Sequence, residues 1–232
     1  MGKRFILLTK YFLFWFLYFI LIKTLFIIFN FNLAKNLTFS ELLGIYFYGL
    51  KLDISATTYL LLIPYLIFIF SIFFKSGLIR QICNWYTYIF IIVISFLTIG
   101  DLELYQYWGF RLDTTPLLYL NTPGEMIASV EWYVVVRQLF IFISLSVFFI
   151  WLYKKYIIPS INKISIGKFW ELPIFLVVFG SLIIPIRGGF GLAPLNTGSA
   201  YFCDNDFANH SAINMFWNAG FSLTRYEGNT NT

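Results

Sequence analysis

The chain has 232 residues, 59% of them hydrophobic and 22% aromatic, with only 12% charged and a mean hydropathy of +0.78. A water-soluble domain is about one-quarter charged, so this composition excludes an ordinary soluble globule and predicts an all-α polytopic membrane protein. The net charge of +5 is accounted for below by topology, which removes nucleic acid as a partner, and two cysteines are too few for a disulfide framework.

Five apolar runs, near residues 11–32, 54–74, 82–100, 133–153 and 169–186, approach the ~20 residues that cross about 30 Å of hydrocarbon. The first follows Met1-Gly2-Lys3-Arg4 and is too long for a signal-peptide core, so it is predicted to be a retained anchor. It contains Lys23, and two readings of that residue stand open. The true span is 5–22 with Lys23 at its outer edge, or Lys23 lies within the span and pairs with an acid such as Asp53 or Asp101.

Between the first two runs, Thr38 and Glu41 have capping-box spacing. Phe39, Leu42, Leu43, Tyr46, Phe47 and Leu50 fall on one helical face, which predicts an interfacial helix over 38–53. A second capping box, Thr122 to Glu125 with Pro123 at the first helical position, predicts another helix leading into the fourth span. Trp108, Trp132, Tyr133, Trp151 and Trp170 mark interfacial belts.

Orientation follows from the basic residues. With the N-terminus inside, Lys3, Arg4, Lys10, Lys75, Arg80, Lys154, Lys155, Lys163 and Lys168 are cytoplasmic, with Glu171 as the single acid among them. The other ten acids are external. Five spans place the C-terminus outside, in a bacterial cytoplasmic (inner) membrane. The expected architecture is therefore a five-helix transmembrane domain over 1–186, one or two outer-face interfacial helices, and an extracytoplasmic linker over 187–232.

Chemistry-bearing residues are sparse. Lys51, Asp53, Asp101, Glu103, Arg111 and Asp113 gather at one depth on the outer side. Either they form a lipid-headgroup site, in which the cations hold a phosphate and the acids orient them, or they are boundary charges that face water and one another. In "GGFGLAP" the glycines follow an apolar span and precede Ala193-Pro194, which is the wrong setting for a dinucleotide fingerprint. Gly188, Gly189 and Gly191 instead allow a sharp turn at the membrane exit, beside Arg187. His210 is the only histidine, and with Asp204 and Asp206 it is too little for a triad or a metal site.

Four blocks carry a family resemblance: "GLKLDISATTYLLLIPY" (49–65), "DLELYQYWGFRLD" (101–113), "YLNTPGEMIAS" (119–129) and "RGGFGLAPLNTGSAYFCDNDFANHSAINMFWNAGFSL" (187–223). They resemble the N-terminal half of bacterial lipoteichoic acid synthases or phosphoglycerol transferases. These are membrane-bound members of the sulfatase superfamily, and the versions of Bacteroidetes-like Gram-negative bacteria are the most similar. The resemblance spans nearly all of the chain, and its last block is the most specific.

It implies five spans with the N-terminus inside, leading to an extracytoplasmic catalytic domain. In that family a threonine nucleophile and a divalent metal, often manganese, transfer phosphoglycerol from phosphatidylglycerol. No catalytic residue, metal ligand or cofactor of that chemistry maps onto 1–232. The expected role is membrane anchoring and lipid presentation. Lys51, Asp53, Asp101, Arg111, Asp113 and Arg187 are the candidate headgroup contacts. The competing readings are a phosphoethanolamine transferase membrane domain, a free-standing transporter, and a scaffold.

Overall fold

The computed structural model describes residues 2–73, 76–118, 131–164 and 167–230, and among these it contains helices and no strand. Four helices dominate: α1 (Gly2–Phe29), α2 (Phe39–Phe70), α3 (Ser76–Trp108) and α4 (Trp132–Leu152). The fourth continues through a π turn at Tyr153–Ile157 to Ile161. All four are long and apolar enough to cross a membrane. Shorter pieces follow: α5 (Glu171–Ser181), α6 (Ile183–Arg187), α7 (Asp206–Ala212) and α8 (Met215–Thr230).

The core is built on one face of α1. Leu7, Tyr11, Trp15, Tyr18 and Phe19 recur at helical spacing and are buried against Leu52, Leu60 and Phe68 of α2, Ile91 and Ile94 of α3, and Phe149 of α4. Large apolar side chains also cover the outside, among them Leu13, Leu17, Phe96, Phe140 and Val147, as a lipid-facing surface requires.

Hydroxyls join the helices where apolar packing alone gives little preference between helix and lipid. Tyr11 Oη lies 2.8 Å from Thr87 Oγ1 and 3.1 Å from Tyr153 Oη, and Tyr153 donates to Asn84 at 3.0 Å. Pro64 sits inside α2 and has no N–H for the carbonyl of Leu60. Tyr86 Oη donates to that oxygen at 2.9 Å, so the acceptor freed by the proline is satisfied from α3.

Polar contacts define the two ends of the bundle. At one end Arg4 pairs with Glu171 at 2.9 Å and donates to Ser71, while Lys10 reaches Ser160 and Arg80 reaches Asn162. At the other end lie the pairs Lys23–Asp53 and Arg111–Asp101. Arg4 and Lys23 are nineteen residues apart, about 28 Å along a helix at 1.5 Å per residue. The slab between the ends is thus close to the ~30 Å of a hydrocarbon core. Residues 5–22 of α1 lie between these two ends, and Lys23 has Asp53 as its partner.

Several elements differ from expectation. Residues 38–53 do not form a separate helix. The Thr38–Glu41 capping box is present, but it starts α2, which runs unbroken to Phe70 because no breaker stands between the amphipathic stretch and the apolar run. The face of this part that packs inward carries Ile45, Gly49 and Leu52, whereas Phe39, Leu43 and Phe47 are exposed. Similarly, α3 passes beyond residue 100 to Trp108. The helix expected at Thr122–Glu125 lies outside the described residues.

The run 169–186 is two short helices, α5 and α6, each below the length of a single spanning helix. Glu171 meets Arg4, Tyr65 Oη donates to the Phe175 carbonyl at 3.2 Å, and Ser55 Oγ donates to the Ile186 carbonyl at 2.7 Å. These contacts run in opposite chain order along α2, so the segment is antiparallel to it.

Candidate functional site

The end of the bundle opposite Arg4 holds the unusual chemistry. Lys23 comes from α1, Asp53 from α2, Asp101 from α3 and Arg111 from the segment after α3, where Gly109 adopts φ +70°. Lys23 is 2% exposed, Asp53 0% and Arg111 4%. Charges at this depth are tolerated only when paired and fully hydrogen-bonded.

Every carboxylate oxygen of the two acids is engaged. Asp53 Oδ2 pairs with Lys23 Nζ, and Oδ1 accepts from Asn214 Nδ2 at 2.9 Å. Asp101 holds Arg111 in a two-point fork, with Nε to Oδ1 at 3.0 Å and Nη2 to Oδ2 at 2.8 Å. The backbone N–H of Leu112 also donates to Oδ1 at 2.8 Å. The Arg111 guanidinium lies 3.9 Å from the centre of the Phe26 ring.

The C-terminal segment completes the site. Arg111 Nη1 donates to the His210 carbonyl at 3.2 Å, and Asn218 Nδ2 to the Leu112 carbonyl at 2.9 Å. Trp217 Nε1 donates to Ser55 Oγ at 3.1 Å, and its backbone N–H to Asn214 Oδ1 at 3.0 Å. Gly49 is what lets α7 come this close, since a Cβ there would collide with Lys23 Nζ and the Ala212 carbonyl. The expected linker is therefore, from Asp206 to Asn218, a packed closing element on the bundle, with Phe207, Ala208, Ile213, Met215 and Trp217 buried.

His210 Nδ1 lies 3.1 Å from Tyr105 Oη. Burial holds the imidazole below its ordinary value, opposed by Asp206 and reinforced by the Arg111 guanidinium. It is neutral near pH 7, so one ring nitrogen is a donor and the other an acceptor.

A pocket of about 260 Å³ opens beside this cluster, lined by Phe110, Arg111, Asp113, Thr197, Tyr201, His210, Ile213 and Asn218. Arg111 has five N–H groups, of which Asp101 and the His210 carbonyl engage three, leaving two without a partner among the described residues. The pocket can recognise a small polar or anionic group through a guanidinium, an imidazole and neighbouring hydroxyls.

The six residues singled out from sequence divide. Asp53, Asp101 and Arg111 belong to the buried cluster, and Asp113 lines the pocket while accepting from the Thr115 N–H at 2.8 Å. Lys51 is exposed, because two residues along a helix from Asp53 is nearly the opposite face. Arg187 is also exposed, with Nη2 donating to the Leu192 carbonyl at 2.7 Å.

His210, Asn214, Trp217 and Asn218 were not anticipated as site residues. Asn214 and Asn218 stand four apart among apolar neighbours, and that spacing was the available signal. Among the described residues no group of three His, Cys, Asp or Glu is placed to hold a metal. Cys83 and Cys203 are both free thiols, Cys83 in the core. Comparison with family models, curated proteins and solved structures gives no match to this chain.

Proposed function

We propose that the chain is the membrane part of a phosphoglycerol-transferase-like enzyme, which anchors an extracytoplasmic catalytic domain and presents a lipid headgroup to it. It crosses a bacterial cytoplasmic membrane five times, with the N-terminus inside and residues 187–232 outside. Contacts of α5 and α6 with both ends of the bundle support the fifth crossing. The nine basic residues of the inner segments support the orientation.

The observation that carries the reading is Arg111. Its guanidinium is buried and oriented by Asp101, yet it borders a pocket at headgroup depth with two N–H groups to spare. A phosphodiester needs a cation with directed N–H groups, and the neutral His210 and Tyr201 suit the hydroxyls of a polyol headgroup. Tethering a catalytic domain beside such a pocket raises the effective concentration of its lipid substrate.

Native mass spectrometry of the full chain with phosphatidylglycerol, phosphatidylethanolamine and phosphatidylcholine tests the lipid site. Preferential retention of phosphatidylglycerol is expected, reduced roughly tenfold, about 1.4 kcal/mol, in Arg111→Lys and reduced also in Tyr201→Phe. Equal retention of the three lipids, unchanged in both variants, refutes it. Retention of phosphatidylethanolamine instead favours the phosphoethanolamine transferase reading. The size of the polypeptide in its native membrane tests the enzyme assignment separately: a product of 27.3 kDa refutes it.

A further inference from the structure

The loop after α6 is built to expose apolar side chains. Gly188 and Gly189 take φ of +89° and +122°, the left-handed region that reverses the chain. A Cβ at Gly188 would also collide with the Leu195 side chain, which is buried at the base of the loop. Three bonds close it: Gly189 N–H to the Ile184 carbonyl at 2.9 Å, Arg187 Nη2 to the Leu192 carbonyl at 2.7 Å, and Leu195 N–H to the Arg187 carbonyl at 3.3 Å. At its tip Phe190 is 90% exposed and Leu192 98%.

We infer that residues 188–195 form a lipid-inserting wedge, with Phe190 and Leu192 seated in the leaflet at the Asp53 end and Arg187 on the phosphates of anionic lipids. Depth supports this. The loop leaves α6 where Ile186 is bonded to Ser55, two residues from Asp53, at the edge of the apolar slab. Its surface also continues the lipid-facing exposure of Leu176, Val177 and Ile183 on the preceding helices. Charge agrees as well: residues 172–203 contain no acid, and Arg187 is their only basic residue. Aromatic and aliphatic side chains beside a lone cation are the composition of an interfacial anchor. The inference needs the Asp53 end to lie at a bilayer surface, and it is independent of the transferase reading.

The test uses the full chain with Cys83 and Cys203 replaced by Ala, carrying an environment-sensitive nitrobenzoxadiazole label at Phe190→Cys or Leu192→Cys, with exposed Asp204→Cys as the control. In phosphatidylcholine–phosphatidylglycerol vesicles, labels at 190 and 192 are expected to be quenched several-fold more by shallow doxyl-labelled lipid than at 204, and several-fold less by aqueous iodide. Iodide quenching equal to that at 204 at both positions overturns the wedge. Protection that appears only on adding a soluble protein overturns it too. Unchanged quenching in pure phosphatidylcholine, or in Arg187→Gln, overturns the anionic-surface part.

Discussion

Replacing Lys23 by Met tests the buried layer at its centre. Lys23 and Asp53 are sealed from water, so removing the ammonium strands a carboxylate that keeps only Asn214 as a partner. Breaking a buried pair in this way costs about 3–5 kcal/mol. At roughly 2–4 °C per kcal/mol for a chain of this size, the thermal midpoint should fall by about 6–20 °C. Asp53→Leu should cost as much, since it strands Lys23 and also the Asn214 amide.

The double variant Lys23→Met/Asp53→Leu strands no charge at this position, only Asn214 without its acceptor, at about 1–3 kcal/mol. It should therefore be more stable than either single variant. The assay is thermal unfolding in detergent, read by a thiol-reactive coumarin at the fully buried Cys83 in a Cys203→Ser background. If the double variant loses the sum of the two single losses, the two side chains are not coupled and the account of the layer fails.

Two glycines should respond oppositely to Ala. Gly49→Ala forces a methyl into Lys23 and the Ala212 carbonyl and should cost about 1–3 kcal/mol, whereas Gly100→Ala, with open space at its Cβ position, should gain about 0.5–1 kcal/mol. Thermal midpoints of the two variants check both signs. Because the folded His210 titrates below the unfolded value of about 6.5, its neutral form contributes stability that is complete above that pH and declines as pH falls through 6.5 toward the folded value. Midpoints measured between pH 8 and 5 should show this decline, and His210→Gln should remove that part of it; an identical slope in the variant contradicts the assignment. Trp217→Phe deletes the indole bond to Ser55 and should cost about 0.5–1.5 kcal/mol, seen as a lowered midpoint with the helical circular dichroism unchanged.

Class and coarse layout were legible in the sequence because they depend on local quantities. Four of the five apolar runs lie in helices long enough to cross a membrane, and the Thr38–Glu41 cap is satisfied within its own turn, so it forms as expected. Lys23 was legible up to a choice between two readings, and the structure bears out its pairing with Asp53. The separate interfacial helix expected over 38–53 does not form, and its apolar face is not the one that packs: Phe39, Leu43 and Phe47 are exposed, whereas Ile45, Gly49 and Leu52 face inward. Here α1, α7 and residues near Phe202 cover the inner face, and the segment simply extends α2. Likewise, 187–218 reads as a polar exit from the membrane, because its few apolar residues look too sparse to pack. They pack because the bundle supplies the remaining surface.

Composition, hydropathy and the placement of lysines and arginines thus determined by themselves the helical class, the presence of helices apolar enough to cross a membrane, and where the charges collect. Only the tertiary structure decided which charges are partners, which face water and which border a pocket. The reason is geometric: Lys51 and Asp53 are neighbours in sequence but point to opposite sides of one helix, whereas Asp53 and Asn214 are 161 residues apart and share a hydrogen bond of 2.9 Å.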